Sequence, residues 1–239
     1  MKIGLLSTLN HPLLPHYLYN IFNTGLTDIV IICDKKGLSE SDIERIHQRT
    51  SNQFRSLQNS DPWEFVYNNI TYPIYLVENH NSKKSLTIIN DLGLECLANC
   101  GTPRKLSKDL LSSIRTGVVN VHPGSLPQYR GCSSVEWALF NKDTLANTAH
   151  IMSEEYDAGP IINIETYEKS EFNSYQSVRI FMYEKALNLM AKTLKDMNTN
   201  NFTLTVQDES KAKTWKPIEQ DKLMKVMNRL NEHSVTEGN

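Results

Sequence analysis

Apolar residues along the first half of the chain fall in short runs separated by amphipathic stretches. Ile3, Leu5 and Leu6 make a short apolar run, which predicts a strand over 2–7. Leu14, Leu18, Ile21 and Phe22 recur at helical spacing over 13–22, and Gly25 follows where a helix favours a stop. The run DIVIICD at 28–34 is continuous and β-branched, as in a strand buried on both faces. Ser39, Glu40, Ser41 and Asp42 open a polar helix with capping residues, expected to run to about residue 59. The alternation continues with a strand over 73–77, a helix over 82–92, a strand over 94–99, a helix over 107–114 and a strand over 117–121. This order predicts an α/β fold of Rossmann-like type, a mostly parallel sheet with helices on both faces. Ligands of such sheets bind beyond the carboxyl ends of the strands, so the residues after Val121 stand where a site is expected.

From residue 148 the pattern changes. Strands are predicted over 148–152 and 161–166. A long amphipathic helix follows over 174–197, with Val178, Phe181, Met182, Ala186, Leu187, Met190 and Leu194 on one side. The tail is polar, with a strand expected over 202–206, an isolated Trp215, a short helix over 218–230 and frayed last residues. No internal repeat or linker interrupts the chain. It reads as one domain over 1–200 with a short C-terminal extension over 201–239.

Composition narrows the function. The 239 residues are 39% hydrophobic and 22% charged, with only 10 Gly and 9 Pro, so a globular domain with a full core is expected. Twenty-five Lys and Arg face 27 Asp and Glu, which argues against a nucleic-acid or membrane-surface binder. The apolar run at Ile3–Leu6 is broken by His11, Pro12 and Pro15, too soon for a secretory signal, and no run reaches the roughly 18 residues of a membrane span. Cys33, Cys96, Cys100 and Cys132 match no zinc or disulfide spacing, so reduced thiols in a cytoplasmic protein are expected. On that reading the glycosylation patterns at Asn69 and Asn201 are coincidental.

Several motifs are missing. No G-x-G-x-x-G follows the first strand, and neither a P-loop nor a G-x-S-x-G nucleophile turn is present. Without H-E-x-x-H no metal site is expected. The informative stretch is 118–131, VVNVHPGSLPQYRG. Asn120 and His122 are two apart at the end of a buried strand and share a face, while Pro123, Gly124 and Pro127 stiffen the loop behind them. An amide and an imidazole so placed suit an oxyanion or a proton transfer; a polar strand end that caps a turn is the alternative. Asp157, on a turn with Ala158 and Gly159 after a predicted strand, could orient His122 or accept a proton.

Taken in order, Asn-x-His-Pro-Gly-Ser-Leu-Pro-x-Tyr-Arg-Gly, then Trp137, then Asp157-Ala-Gly-Pro, resembles the formyltransferases that use 10-formyltetrahydrofolate. The resemblance is specific over about 94–165. It implies that Asn120, His122 and Asp157 are the catalytic trio, and that the acceptor amine attacks the formyl carbon directly. His122 and Asn120 would hold the oxyanion, and Asp157 would orient His122 and help remove the amine proton. It also implies a folate pocket on Gly101, Arg104 and Leu106, with Glu154 and Tyr156 beside it. Pro103 and Lys105 depart from the family pattern there.

The resemblance extends to the acceptor. Methionyl-tRNA formyltransferases carry a further C-terminal domain and a more basic surface. Glycinamide ribonucleotide enzymes carry a glycine- and serine-rich stretch after the first strand, of which the sequence from Leu6 to Pro12 is a poor version. The chain is most similar to the sugar-nucleotide N-formyltransferases. That implies a dTDP-linked 4-amino-4,6-dideoxyhexose of O-antigen type as acceptor, and a homodimer. Trp215, set among Lys211, Lys213 and Lys216, would stack on the base, or else anchor the tail to the body. Lys83 and Lys84 would meet the diphosphate, or else form a solvated helix face. Ser125, Tyr129 and Arg130 complete the expected acceptor side, although Arg130 with Gly131 also suits a structural turn into a helix over 133–141, and Trp137 reads as core. Glycinamide ribonucleotide formylation and 10-formyltetrahydrofolate hydrolysis are the alternatives, together with a non-catalytic folate or nucleotide-sugar binder.

Overall fold

A computed structural model describes residues 1–52, 54, 62–168 and 172–235. Its centre is a seven-stranded sheet. The strands are β1 (Ile3–Ser7), β2 (Ile29–Asp34), β3 (Ile74–Val77), β4 (Cys96–Asn99), β5 (Val118–His122), β7 (Leu145–Ile151) and β8 (Ile161–Tyr167), in the spatial order β3-β2-β1-β4-β5-β7-β8. The first five are parallel. β7 pairs antiparallel to both β5 and β8.

The two faces of β1 explain the layers. Ile3 and Leu5 point one way, into a core with β2 residues Ile29 and Ile31, with Leu14, Leu18 and Ile21 of α1 (Leu14–Phe22), and with Met190 and Leu194 of α7 (Tyr175–Asn198). Leu6 points the other way, packing with Val30, Ile32, Leu97 and Val118 against Ile89 of α4 (Lys83–Asp91) and Leu110 of α5 (Lys108–Ser112). Each such aliphatic side chain contributes about 1.5–3 kcal/mol by leaving water, so the expected helix-covered sheet is held from both sides. Strand order reverses at β1, whose neighbours are β2 and β4, and in such sheets ligands bind beyond the carboxyl ends of the strands.

Three expectations are corrected. The helix begun at Ser39, expected to reach about 59, is α2 (Glu40–Thr50); Ser51 ends it in the left-handed region at φ 48°, and 55–61 lie outside the described residues. A helix not anticipated, α3 (Pro62–Asn69), follows. The strand expected over 202–206 is a single bridge between Thr205 and Ile161.

The long helix α7 buries more of its circumference than one stripe, including Arg179 and Leu189. α6 (Ser134–Asn141) follows the loop after β5, as expected. The extension returns to the body. β9 (Thr214–Trp215) pairs with β6 (Arg130–Gly131) as a separate parallel ribbon, and α8 (Gln220–Val235) ends beyond the expected 230. The residues expected to fray, 236–239, lie outside the described residues.

Candidate active site

β5 carries Asn120 and His122 to the carboxyl edge of the sheet, and its antiparallel partner β7 sets His150 directly opposite Asn120. Gly124 then turns the chain sharply. A Cβ there would crowd Ser134 Cβ, His122 Nε2 and the Tyr129 carbonyl, each within about 3 Å, so the loop can fold back over His122 only with glycine. Asp157 arrives on the turn between β7 and β8 in the left-handed conformation, at φ 56°, a region that Asp tolerates better than most residues.

These side chains form one connected network. Asn99 Nδ2 donates to Asn120 Oδ1 (3.0 Å), and Asn99 Oδ1 accepts from the amides of Gly101 and Thr102 (3.2 and 2.9 Å). Asn120 Nδ2 lies 3.1 Å from His150 Nε2, and His150 Nδ1 lies 3.1 Å from the Ile151 carbonyl. The carbonyl can only accept, so Nδ1 donates and Nε2 receives the Asn120 hydrogen. Burial favours that neutral form, pushing the His150 imidazole down to about 4 against a smaller opposing pull from Asp157. Both ends of the Asn120 amide are thereby fixed, and one Nδ2 hydrogen is left for the cavity that Asn120 lines.

His122 is turned differently. Its Nε2 donates to the Tyr129 carbonyl at 2.6 Å, with Ser134 Oγ 3.1 Å away, and its Nδ1 faces Asp157 Oδ1 at 3.3 Å. Of the two ring nitrogens, it is therefore Nδ1 that faces the carboxylate. Asp157 Oδ2 accepts from the Gly131 amide (2.9 Å), and Oδ1 lies 3.7 Å from His150 Nε2. Burial pushes the Asp157 carboxyl up, but the His122 hydrogen bond and charge, the Gly131 amide and His150 together hold it below its ordinary value.

A cavity of about 350 Å³ opens beside this network. Asn99, Asn120, His150 and Asp157 form its polar end; Leu106, Leu111 and Met152 give apolar walls, and Pro103, Arg104 and Tyr156 lie towards the rim. An apolar slot ending in amides and a carboxylate suits a flat heterocycle with polar edges. The 101–106 loop is latched from two strands away. Arg104 Nε and a terminal nitrogen donate to the fully buried Asp34 at 2.5 and 3.1 Å, and Arg104 also donates to the Glu78 carbonyl. The amides of Lys36 and His80 donate to the same carboxylate. Burial pushes the Asp34 carboxyl up, and these donors more than reverse it.

Asn120, Asp157, Arg104, Leu106 and Tyr156 thus meet on one cavity, with His122 behind Asp157. Gly101, at φ 101°, does not line the cavity; it packs against the His11 ring, where a Cβ would overlap that ring. Glu154 is exposed beside the cavity and paired with Lys108 at 3.1 Å. The other expected residues are elsewhere. Lys83 and Lys84 are exposed on the first turn of α4, and Ser125 is half-buried in the loop after β5; none of the three lines the cavity.

Two expectations about ligand contact need correction. The Trp215 ring is stacked on the buried Tyr129 (centroids 5.5 Å apart, 7° between planes), tilted against Trp137 (4.6 Å) and topped by Lys213 Nζ (3.5 Å), so its faces are taken by protein. The Arg130 guanidinium is buried against Gln207 and Glu209. Tyr129 donates its hydroxyl to Asp143. Asn99 and His150 join the site without any local sequence signal. His150 sits inside a buried strand, where a lone histidine reads as core, and only its register opposite Asn120 gives it away.

Comparison with known proteins bears on this geometry. Residues 29–193 match the family described as Formyl transferase. A methionyl-tRNA formyltransferase of Thermotoga maritima is 28% identical over 147 residues, which is 61% of this chain and 47% of that protein; the match spans about half the length of that relative. Among solved structures, a 4-N formyltransferase from Francisella tularensis superposes with a TM-score of 0.61 at 21% identity, covering 91% of this chain and 76% of that one. A glycinamide ribonucleotide transformylase from Symbiobacterium toebii gives 0.61 at 15%, covering 87% and 94%. An N-formyltransferase from Helicobacter canadensis, solved with folinic acid and dTDP-3-aminofucose, gives 0.57 at 15%, covering 90% and 70%. At these identities the structures share the fold.

Proposed function

The chain belongs to the formyl transferase family, and from that premise we propose that it transfers a formyl group from 10-formyltetrahydrofolate to the amino group of a nucleotide-linked amino sugar. The observation that carries this reading is the oriented Asn120 amide at the polar end of the cavity, beside the Asp157–His122 pair. The folinic acid and dTDP-3-aminofucose held by the Helicobacter canadensis structure support folate as donor and a dTDP-linked amino sugar as acceptor. The acceptor expected from the sequence, a dTDP-4-amino-4,6-dideoxyhexose, fits the same class.

The chemistry follows from the geometry. The donor's pterin lies in the slot walled by Leu106, Leu111 and Met152, which brings its formyl carbon to the polar end. The neutral amine of the sugar attacks that carbon; the new N–C bond forms as the carbonyl electrons move onto oxygen. The free Asn120 Nδ2 hydrogen meets the oxyanion, a contribution of about 3–4 kcal/mol for a preorganised donor. The amine's extra proton passes towards Asp157 and His122 Nδ1. Collapse breaks the bond to N10, which takes up that same proton as it leaves, so the Asp157–His122 pair ends as it began.

Tetrahydrofolate release is followed with dTDP- and UDP-linked amino sugars, glycinamide ribonucleotide and no acceptor. Release only with an amino sugar supports the reading and identifies the sugar. Release with glycinamide ribonucleotide moves the protein to that reaction, and release without acceptor makes it a hydrolase. A homodimer belongs to the same proposal, and sedimentation at assay concentration checks it.

A further inference from the structure

The turn that presents Asp157 is held from a part of the chain that is distant in sequence. Gln207, 6% exposed, lies in the extension just after the Thr205–Ile161 bridge. Its Nε2 donates to the main-chain carbonyls of Asp157 (2.8 Å) and Gly159 (2.7 Å). Its Oε1 accepts from Arg130 Nε (3.0 Å) and from a terminal Arg130 nitrogen (2.8 Å). Two donors and two lone pairs are the full capacity of a carboxamide, and all four are used. The same guanidinium makes two further bonds to Glu209, at 2.9 and 2.6 Å.

The turn needs such a hold. Asp157 has left-handed backbone, and Gly159 passes so close to Ile151 that a Cβ would overlap its carbonyl oxygen. Without Gln207 the two carbonyls lose these donors, and no other hydrogen bond to them is found among the described residues. The Asp157 carboxylate, 3.3 Å from His122 Nδ1 and 2.9 Å from the Gly131 amide, is carried by that backbone.

We propose that Gln207 is a positioning residue for the reaction: from the C-terminal extension it fixes the 157–159 turn, and with it the place of the Asp157 carboxylate against His122. The inference rests on the reading above, in which Asp157 takes part in formyl transfer. Docking of the extension does not depend on Gln207 alone. Trp215 stacks on Tyr129, the Trp137 indole donates to the Lys216 carbonyl (2.8 Å), and β9 pairs with β6.

That independence makes the test clean. Gln207→Glu keeps an acceptor for Arg130 but offers the two carbonyls no donor, and Gln207→Met removes both halves. Both variants are expected to keep the wild-type melting temperature within a few degrees. The expected kcat falls about 10- to 100-fold, the range for a catalytic group displaced by ångströms, with KM for donor and acceptor within threefold. As pH falls the glutamate gains an O–H that can donate, so the deficit of Gln207→Glu relative to wild type narrows while that of Gln207→Met does not. Nitrogen-15 spectra of the histidine rings, recorded without substrate, are expected to show the His122 Nδ1 signal moved in both variants. Unchanged kcat and His122 signal, or a loss that follows KM or the unfolded fraction, overturns the clamp. A wild-type protein inert with every acceptor overturns the reaction reading itself, whatever the His122 signal shows.

Discussion

Asn120 Nδ2 donates to His150 Nε2 across the β5–β7 pairing at 3.1 Å. The bond decides which end of the Asn120 amide faces the cavity. A flipped amide would set its oxygen against the His150 lone pair and its nitrogen against the donating Asn99. Replacing His150 by Phe removes the acceptor and leaves the amide held only by Asn99, with an expected tenfold fall in kcat, or about 1.4 kcal/mol. His150→Gln, which can accept at a similar distance, is expected to retain most of the rate. Equal rates for Phe and Gln in steady-state assays would show that the bond does not orient Asn120.

Acid should destabilise the fold before it protonates Asp34 or Asp157. Burial holds His150 and His11 at about 4 in the folded protein, against 6.5 when unfolded. Above pH 6.5 both states carry the neutral rings and the full stability is present. Between 6.5 and 4 the unfolded chain takes up the protons first, so stability falls with pH, by up to about 3 kcal/mol per ring. Asp34 and Asp157, whose folded values are depressed, add a further loss below their unfolded range near 3.8. Urea midpoints should hold from pH 7.5 to about 6.5 and decline from there to 4.5, and His150→Phe should flatten the slope.

The latch between Asp34 and Arg104 should govern the donor alone. Asp34→Asn weakens the hold on the 101–106 loop and is expected to raise KM for the folate about tenfold, the loss of one charge-assisted hydrogen bond. KM for the acceptor should stay within twofold. Titration with folinic acid, followed by tryptophan fluorescence, measures the same weakening without turnover. Parallel rises in both KM values would mean that the latch supports the whole site rather than the donor loop.

Trp215 is expected to act on stability. Its ring fills a gap between Tyr129, Trp137 and Lys213, and its Nε1 donates to the Gln128 carbonyl at 2.9 Å. Trp215→Ala should cost about 2 kcal/mol, less than for a fully buried tryptophan, and lower the melting temperature by about 4–8 °C. A large rise in nucleotide-sugar KM at unchanged melting temperature would restore the base-stacking role.

The strands were legible because the body of a parallel strand buried on both faces has to be apolar, and 29–33 is. The start of α2 was legible from Ser39, which does accept from the Asp42 amide. Its end was not, since Ser51 is no ordinary left-handed residue. Phe202, Leu204 and Val206 alternate like a strand, yet Leu204 and Val206 are 49% and 84% exposed and only Thr205 finds a partner edge. In the site, the spacing of Asn120 and His122 and the turn at Asp157 left a structural role open, and it was the resemblance carried by the ordered stretch 120–131 with Asp157–Pro160 that marked the three. Asn99, His150 and Gln207 act only through contacts made by folding, Gln207 across 50 residues, and no local pattern marks them.

The ribbon of β6 and β9 joins Arg130–Gly131 to Thr214–Trp215. A chain emerging from the ribosome at about 5–20 residues per second makes its second half roughly 4–17 s after its first. Late in that interval, once β8 has been made, all seven sheet strands can pair while the edge at 130–131 stands open and Tyr129 lacks the ring that covers it. The nascent protein therefore passes through a stage with a formed sheet and an exposed aromatic flank. That is the stage at which a chaperone, or another nascent copy, has most to bind.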